Sequence, residues 1–177
     1  MKEKNTTIGN MTLRNMTINS IIAAVYIVLT ALLQLVSFGA IQFRVSEVFN
    51  HLVVYNKRYF FGIVVGVFIA NLFFSEFLPM DLIFGVLHTV VSLGITIFAR
   101  RWIKKEGTLM VFNALVFSVN MFLIAIEIAY FSKEAFWPVF WASWGTLFLS
   151  ELIIMVIGIP IMYLLNKRLN FHAILEG

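Results

Sequence analysis

Apolar residues run in long uninterrupted stretches along this chain and rarely alternate with polar ones. Six stretches fall at about 17–36, 46–56, 59–75, 81–100, 109–130 and 138–166. A helix needs about 20 apolar residues to cross the hydrocarbon core of a bilayer. The second and third stretches are short for that purpose, and only Asn56, Lys57 and Arg58 separate them. Pro79 falls in the turn before the fourth stretch, and Pro138 suits the first turn of the sixth helix. Gly158-Ile159-Pro160 predicts a kink in the sixth, because proline removes a backbone donor. The pattern predicts an all-α membrane protein of six transmembrane helices over 17–168, with polar tails at 1–16 and 169–177. No cleavable leader is expected, since no small-residue cleavage site follows the first apolar run.

Composition strengthens this picture. The 177 residues are 61% hydrophobic and 12% charged, whereas a soluble domain carries about 25% charged residues. Without cysteine, the chain has neither disulfides nor thiol chemistry. The net charge of +4 would hint at nucleic acid in a soluble protein. Here the placement of the charges matters more, and membrane lipid rather than nucleic acid is the expected surroundings.

With the N-terminus inside, eleven of the thirteen Lys and Arg residues fall on the cytoplasmic side, and only Arg44 and Lys133 fall outside. The positive-inside rule therefore puts both termini in the cytoplasm. The Asn-x-Thr triplets at Asn5, Asn10 and Asn15 then read as chance, because a cytoplasmic tail is not glycosylated. The acidic residues divide differently. Glu47, Glu76, Asp81, Glu127, Glu134 and Glu151 lie at the outer surface or within the membrane.

Glu47, Glu127 and Glu151 interrupt apolar runs. An ionisable group at a helix centre costs about 2.5–3.5 kcal/mol on the insertion scale, so it usually faces a cavity or a partner. The plainer readings are an interhelical hydrogen bond or a carboxylate that snorkels to the surface. Other polar groups share the outer half. Asn71 nears the outer end of the third helix, and Asn120 and Glu127 stand seven residues apart, on one helical face. Trp137, Trp141, Trp144 and Glu151 form a stripe on the sixth helix. A flat ligand stacked on an indole and bonded by a carboxylate would explain the deeper part of that stripe. An aromatic belt at the interface is the alternative. His88 lies in the outer third of the fourth helix, as a pocket residue or a packed helix histidine. His51 and His172 have no partner evident from the sequence.

The first outer connection, Ser37 to Glu47, alternates apolar and polar residues from Ile41 to Arg44, which suggests an extended loop. It leads into a short helix carrying Glu47, Asn50 and His51. Gln42, Arg44 and Glu47 could form a lid over an outward-facing pocket, since interrupted membrane segments often mark binding sites. A simple Arg–Glu pair is the alternative.

The block Gly39-Ala40-Ile41-Gln42-Phe43-Arg44-Val45-Ser46-Glu47 resembles the signature of the QueT family, substrate-binding S components of energy-coupling factor (ECF) transporters. The likeness continues through Gly66 to Phe73, Asp81 to Gly85, and Glu151-Leu152. Val48-Phe49-Asn50-His51 departs from the more aliphatic stretch expected there. The resemblance implies a six-helix S-component bundle and uptake of a queuosine precursor such as 7-aminomethyl-7-deazaguanine. It also implies a transmembrane coupling subunit and two cytoplasmic ATPases as partners. The chain itself has no G-x-x-x-x-G-K-[ST] phosphate loop. Small residues on the first helix, Ser20, Ala23, Ala24 and Ala31, are candidates for the contact with the coupling subunit.

For such a ligand, Glu151 and Glu127 would accept hydrogen bonds, either from adjacent N–H groups of a guanine-type edge or from an aminomethyl group. Asn71 and Asn120 would set orientation, Trp141 and Trp144 would stack, and Gln42, Arg44, Glu47 and His88 would line or brace the pocket. No cofactor or metal site is expected. Riboflavin or thiamine as cargo, a membrane-embedded enzyme, and a subunit that binds only protein stay open as alternatives. The enzyme reading lacks a H-E-x-x-H or G-x-S-x-G motif.

Overall fold

The computed structural model describes residues 7–8, 11–33, 43–75 and 78–175. A minimal antiparallel pair, β1 (Thr7–Ile8) with β2 (Met11–Thr12), precedes the helices. Helix α1 runs Leu13–Leu32. A 3-10 helix, Val45–His51, passes into the short α2, Leu52–Tyr55. A 3-10 turn at Lys57–Tyr59 opens α3, Phe60–Phe74. Then come α4 (Met80–Ala99), α5 (Glu106–Asn120), α6 (Phe122–Phe131), α7 (Phe136–Leu169) and α8 (Phe171–Ile174). Among the described residues, five stretches are long and apolar enough to cross a membrane; the fourth joins α5 and α6 over Glu106–Phe131.

The chain is an all-α membrane protein, and α4 shows why. Its outward side carries Ile83, Leu87, Val91, Ile95 and Phe98, all exposed. Its buried side carries Gly85, His88, Thr89, Ser92 and Thr96. A water-soluble helix would put its apolar stripe inward. Here the apolar stripe faces out, where only lipid tolerates it, and the polar stripe faces the interior.

The second apolar stretch is the exception to the spanning helices. Seven residues of 3-10 helix and four of α-helix rise about 20 Å together, against a hydrocarbon core of about 30 Å. This segment is held inside the bundle instead of crossing it. Leu52, Val53, Val54 and Tyr55 are all buried. It packs against α7, where Gly158 opens the seat: a Cβ there would come 3.1 Å from the methyls of Val48 and 3.2 Å from the His51 ring.

Side-chain hydrogen bonds fix the segment in register. Thr30 Oγ1 donates to Ser46 Oγ (2.8 Å), and the Tyr55 hydroxyl donates to the Met162 carbonyl (3.2 Å). Asn113 Nδ2 lies 3.2 Å from His51 Nδ1 and 3.3 Å from the Asn50 carbonyl. On its other side His51 Nε2 meets the Met155 carbonyl at 2.9 Å. A carbonyl can only accept, so Nε2 carries the proton and Nδ1 accepts from Asn113. Both histidines without an evident partner thus have one, since His172 Nε2 lies 2.7 Å from Glu106 Oε1.

Three boundaries differ from the sequence reading. Helix α1 starts at Leu13; Asn15 and Asn19 are buried, and Asn19 Oδ1 accepts from the Gly62 amide of α3 at 2.8 Å. The fifth stretch divides at Met121. The sixth continues as one helix past Pro160 to Leu169.

Candidate functional site

The polar residues of the outer half converge on Arg44. It precedes the 3-10 helix at the N-cap position, and its side chain is only 4% exposed. Its charge acts on Tyr26, His88, Glu127 and Glu151 together, which come from four different helices. The Glu47 charge acts on Tyr26, His88 and Glu151. Glu47, Glu151 and His88 have no exposed surface at all, and Glu127 has 3%. These groups form a buried polar cluster inside an apolar bundle.

Glu47 is well provided for. Tyr26 Oη donates to its Oε1 at 3.1 Å, and Asn50 Nδ2 donates to its Oε2. Glu151 is not. Among the described residues no donor reaches either of its oxygens, and the same holds for both oxygens of Glu127, which face the Asp81 carboxyl, for Asn50 Oδ1 and for His88 Nδ1. His88 Nε2 points at the Phe117 carbonyl (3.0 Å), so that nitrogen donates and Nδ1 is left as an acceptor. Buried polar atoms are nearly always satisfied in native proteins. These acceptors, gathered near one buried cation, leave the region short of hydrogen-bond donors among the described residues.

Amides and a glycine frame the cluster. Asn71 Nδ2 donates to the Asp81 carbonyl (3.2 Å), and Ser75 Oγ donates to Asp81 Oδ2. Gly85 lies one turn below Asp81; a Cβ there would run into the Asn71 amide and come within 3.8 Å of the Arg44 guanidinium. Asn120 Nδ2 donates to Ser92 Oγ at 2.9 Å. Arg44, Glu47, Asn71, His88, Asn120, Glu127 and Glu151 are thus all buried in this region. Gln42 lies outside the described residues.

The tryptophans stand apart from this cluster. Trp141 is 57% exposed. Trp144 packs on Met121, Ile124, Ala125 and Leu147, and its Nε1 donates to the Val119 carbonyl (3.1 Å), closing the joint between α5 and α6. The fully buried positions of α7 begin only at Leu147; before it, Phe140 and Trp144 are half-buried against the α5–α6 joint.

A profile of the QueT transporter family matches residues 16–167. The chain belongs to the QueT transporter family. A relative from Lactococcus lactis subsp. cremoris (strain MG1363), described as queuosine precursor transporter QueT, is 38% identical over 160 residues. Those residues cover 85% of this chain and 91% of that protein. No solved structure matches the chain. The resemblance read from the Gly39–Glu47 block is therefore borne out at family level.

Within this QueT-family chain, sequence reasoning missed Tyr26, Asn50, Ser92 and Asp81 as members of the polar region. One signal for the last two was available. Asp81, Gly85, His88, Ser92 and Thr96 recur at spacings of three and four along an otherwise apolar helix, which marks an inward polar stripe. The four small residues of α1 also separate. Ala23 is buried against Gly66, whose added Cβ would lie 3.3 Å from the Ala23 Cα, whereas Ser20, Ala24 and Ala31 are exposed.

Proposed function

We propose that this chain is the substrate-binding S component of an ECF importer in a bacterial cell membrane. Its cargo is a queuosine precursor such as 7-aminomethyl-7-deazaguanine. The observation that carries the reading is Glu151, a fully buried carboxyl with no hydrogen-bond partner among the described residues, in a family of transporters. Two adjacent N–H groups on the edge of a guanine-type ring would satisfy both of its oxygens at once. Bonds to an ionised acceptor are about twice as strong as neutral ones. His88 Nδ1 and Asn50 Oδ1 would take further donors. Arg44 would hold the surrounding carboxylates and supply a donor to a ring carbonyl.

The name of the Lactococcus relative supports the cargo class. The distribution of basic residues supports a cytoplasmic location for both termini. With no phosphate loop of its own, the subunit would depend on a coupling subunit and two ATPases for energy. The exposed face of α1 with Ser20, Ala24 and Ala31 would let a partner helix approach closely.

Calorimetry on the purified subunit tests the cargo. Sub-micromolar binding of a deazaguanine, with guanine at least 100-fold weaker, is the expected result. No binding of any deazaguanine by folded protein would sink the assignment.

A further inference from the structure

Beside the cluster, at the ends of α4 and α6, lies a cavity of about 650 Å³. Leu78, Met80 and Phe131 give it apolar walls, and Asp81, Glu127 and Ser132 give it polar ones. The Glu127 carboxyl faces that of Asp81. Ser75 donates to Asp81, and Glu127 is within side-chain hydrogen-bond reach of Asp81; its side chain is buried, and no N–H or hydroxyl of another described residue reaches its oxygens. Two carboxyls held face to face away from water repel when both are ionised, unless a cation stands between them. In this half of the molecule the three buried carboxyls Glu47, Glu127 and Glu151 and the half-buried Asp81 stand against Arg44, the one buried Lys or Arg among the described residues. The deficit is of positive charge and of N–H donors together.

A primary ammonium group supplies both, with one positive charge and three donors. A divalent metal fits less well. Calcium takes six to eight oxygen ligands, and among the described residues no group of three or more His, Cys, Asp or Glu is placed to hold a metal. Gly85, one turn from Asp81, has the Asn71 amide packed against it, with the Arg44 guanidinium near the same point.

We propose that the Asp81–Glu127 pair is a subsite for the primary ammonium group of the cargo, selecting a cationic 7-deazaguanine over its neutral 7-cyano counterpart. The proposal rests on the cargo reading above. The ring edge binds at Glu151, and the aminomethyl arm ends between the two carboxylates. Asp81 becomes a specificity-determining residue, with Glu127 as its partner.

The test is titration of the wild type, Asp81→Asn and Glu127→Gln with 7-aminomethyl-7-deazaguanine and with the 7-cyano base. The wild type is expected to favour the aminomethyl base by about tenfold or more, the scale of one charge-assisted bond. Both variants are expected to lose that preference. Equal affinity of the wild type for the two bases, or variants that keep the preference, overturns the subsite and leaves the cargo class standing. If neither base binds folded wild type, the cargo reading falls and methylammonium alone decides the subsite. Saturable thermal stabilisation that the variants lose supports it, and absence of stabilisation overturns it. Should Asp81→Asn fail to fold, Glu127→Gln carries the comparison, because no donor among the described residues bonds to the Glu127 oxygens.

Discussion

Tyr26 and Glu47, 21 residues apart, are joined by a 3.1 Å hydrogen bond from the phenol to the carboxylate. This bond ties α1 to the 3-10 helix at the one buried carboxylate that is fully supported. Tyr26→Phe removes the donor and leaves Glu47 Oε1 buried and unpaired, at a cost of about 1–3 kcal/mol. The unfolding temperature of the purified variant in detergent is expected to fall measurably. An unchanged temperature would mean that the bond does not support Glu47.

Glu151→Gln keeps the shape of the side chain and removes its charge. Ligand affinity is expected to drop by about tenfold to a hundredfold, the scale of bonds to a charged group. Stability without ligand is expected to change little, because no hydrogen bond from a described residue is lost and a buried charge is removed. Calorimetry and thermal unfolding read the two effects separately. A variant that binds normally would remove Glu151 from the site.

Gly85→Ala places a methyl against the Asn71 amide. Asn71 sits near the end of α3, and its bond to the Asp81 carbonyl must be displaced for the methyl to fit. Weaker ligand binding is expected together with a loss of about 1–3 kcal/mol in stability, the usual cost of overpacking. Wild-type affinity in this variant would show that Asn71 can move without consequence.

The two tryptophans are expected to part company on substitution. Trp141→Ala removes an indole that is 57% exposed and should shift stability by no more than about 0.5 kcal/mol. Trp144→Ala removes packing on Met121 and Ile124 and frees the Val119 carbonyl, so a loss of about 2 kcal/mol or more is expected. Equal effects in thermal unfolding would contradict the division of roles drawn from their packing.

Much of this molecule is legible in its sequence, for a physical reason. A carboxylate in an apolar run is expensive, so Glu47, Glu127 and Glu151 stand out by residue type and position alone, and all three are buried in the fold. Hydroxyls and single amides cost far less, and Ser92 and Asn50 give no comparable signal. Asp81 is hidden by its position in the first turn of a helix, where an acid is ordinary. Leu13 to Met16 resembles a polar tail because the residues there include Arg14 and Asn15. Asn19 faces α3 instead of water, a fact that depends on a helix more than 40 residues away. The tryptophan stripe has the right period. Periodicity gives direction around a helix and says nothing of how far the neighbours extend along it.

The orphaned carboxyl of Glu151 bears on protein turnover in the cell. Whatever binds the native state and not the unfolded one stabilises it by RT ln(1 + [L]/Kd), about 2.7 kcal/mol at a hundredfold excess over Kd. Cargo that satisfies the buried acceptors would act as an internal strut, and a transporter starved of cargo would open more often to membrane proteases. Its half-life in a chase experiment would then lengthen when precursor is supplied, so that the abundance of the protein follows the availability of its cargo.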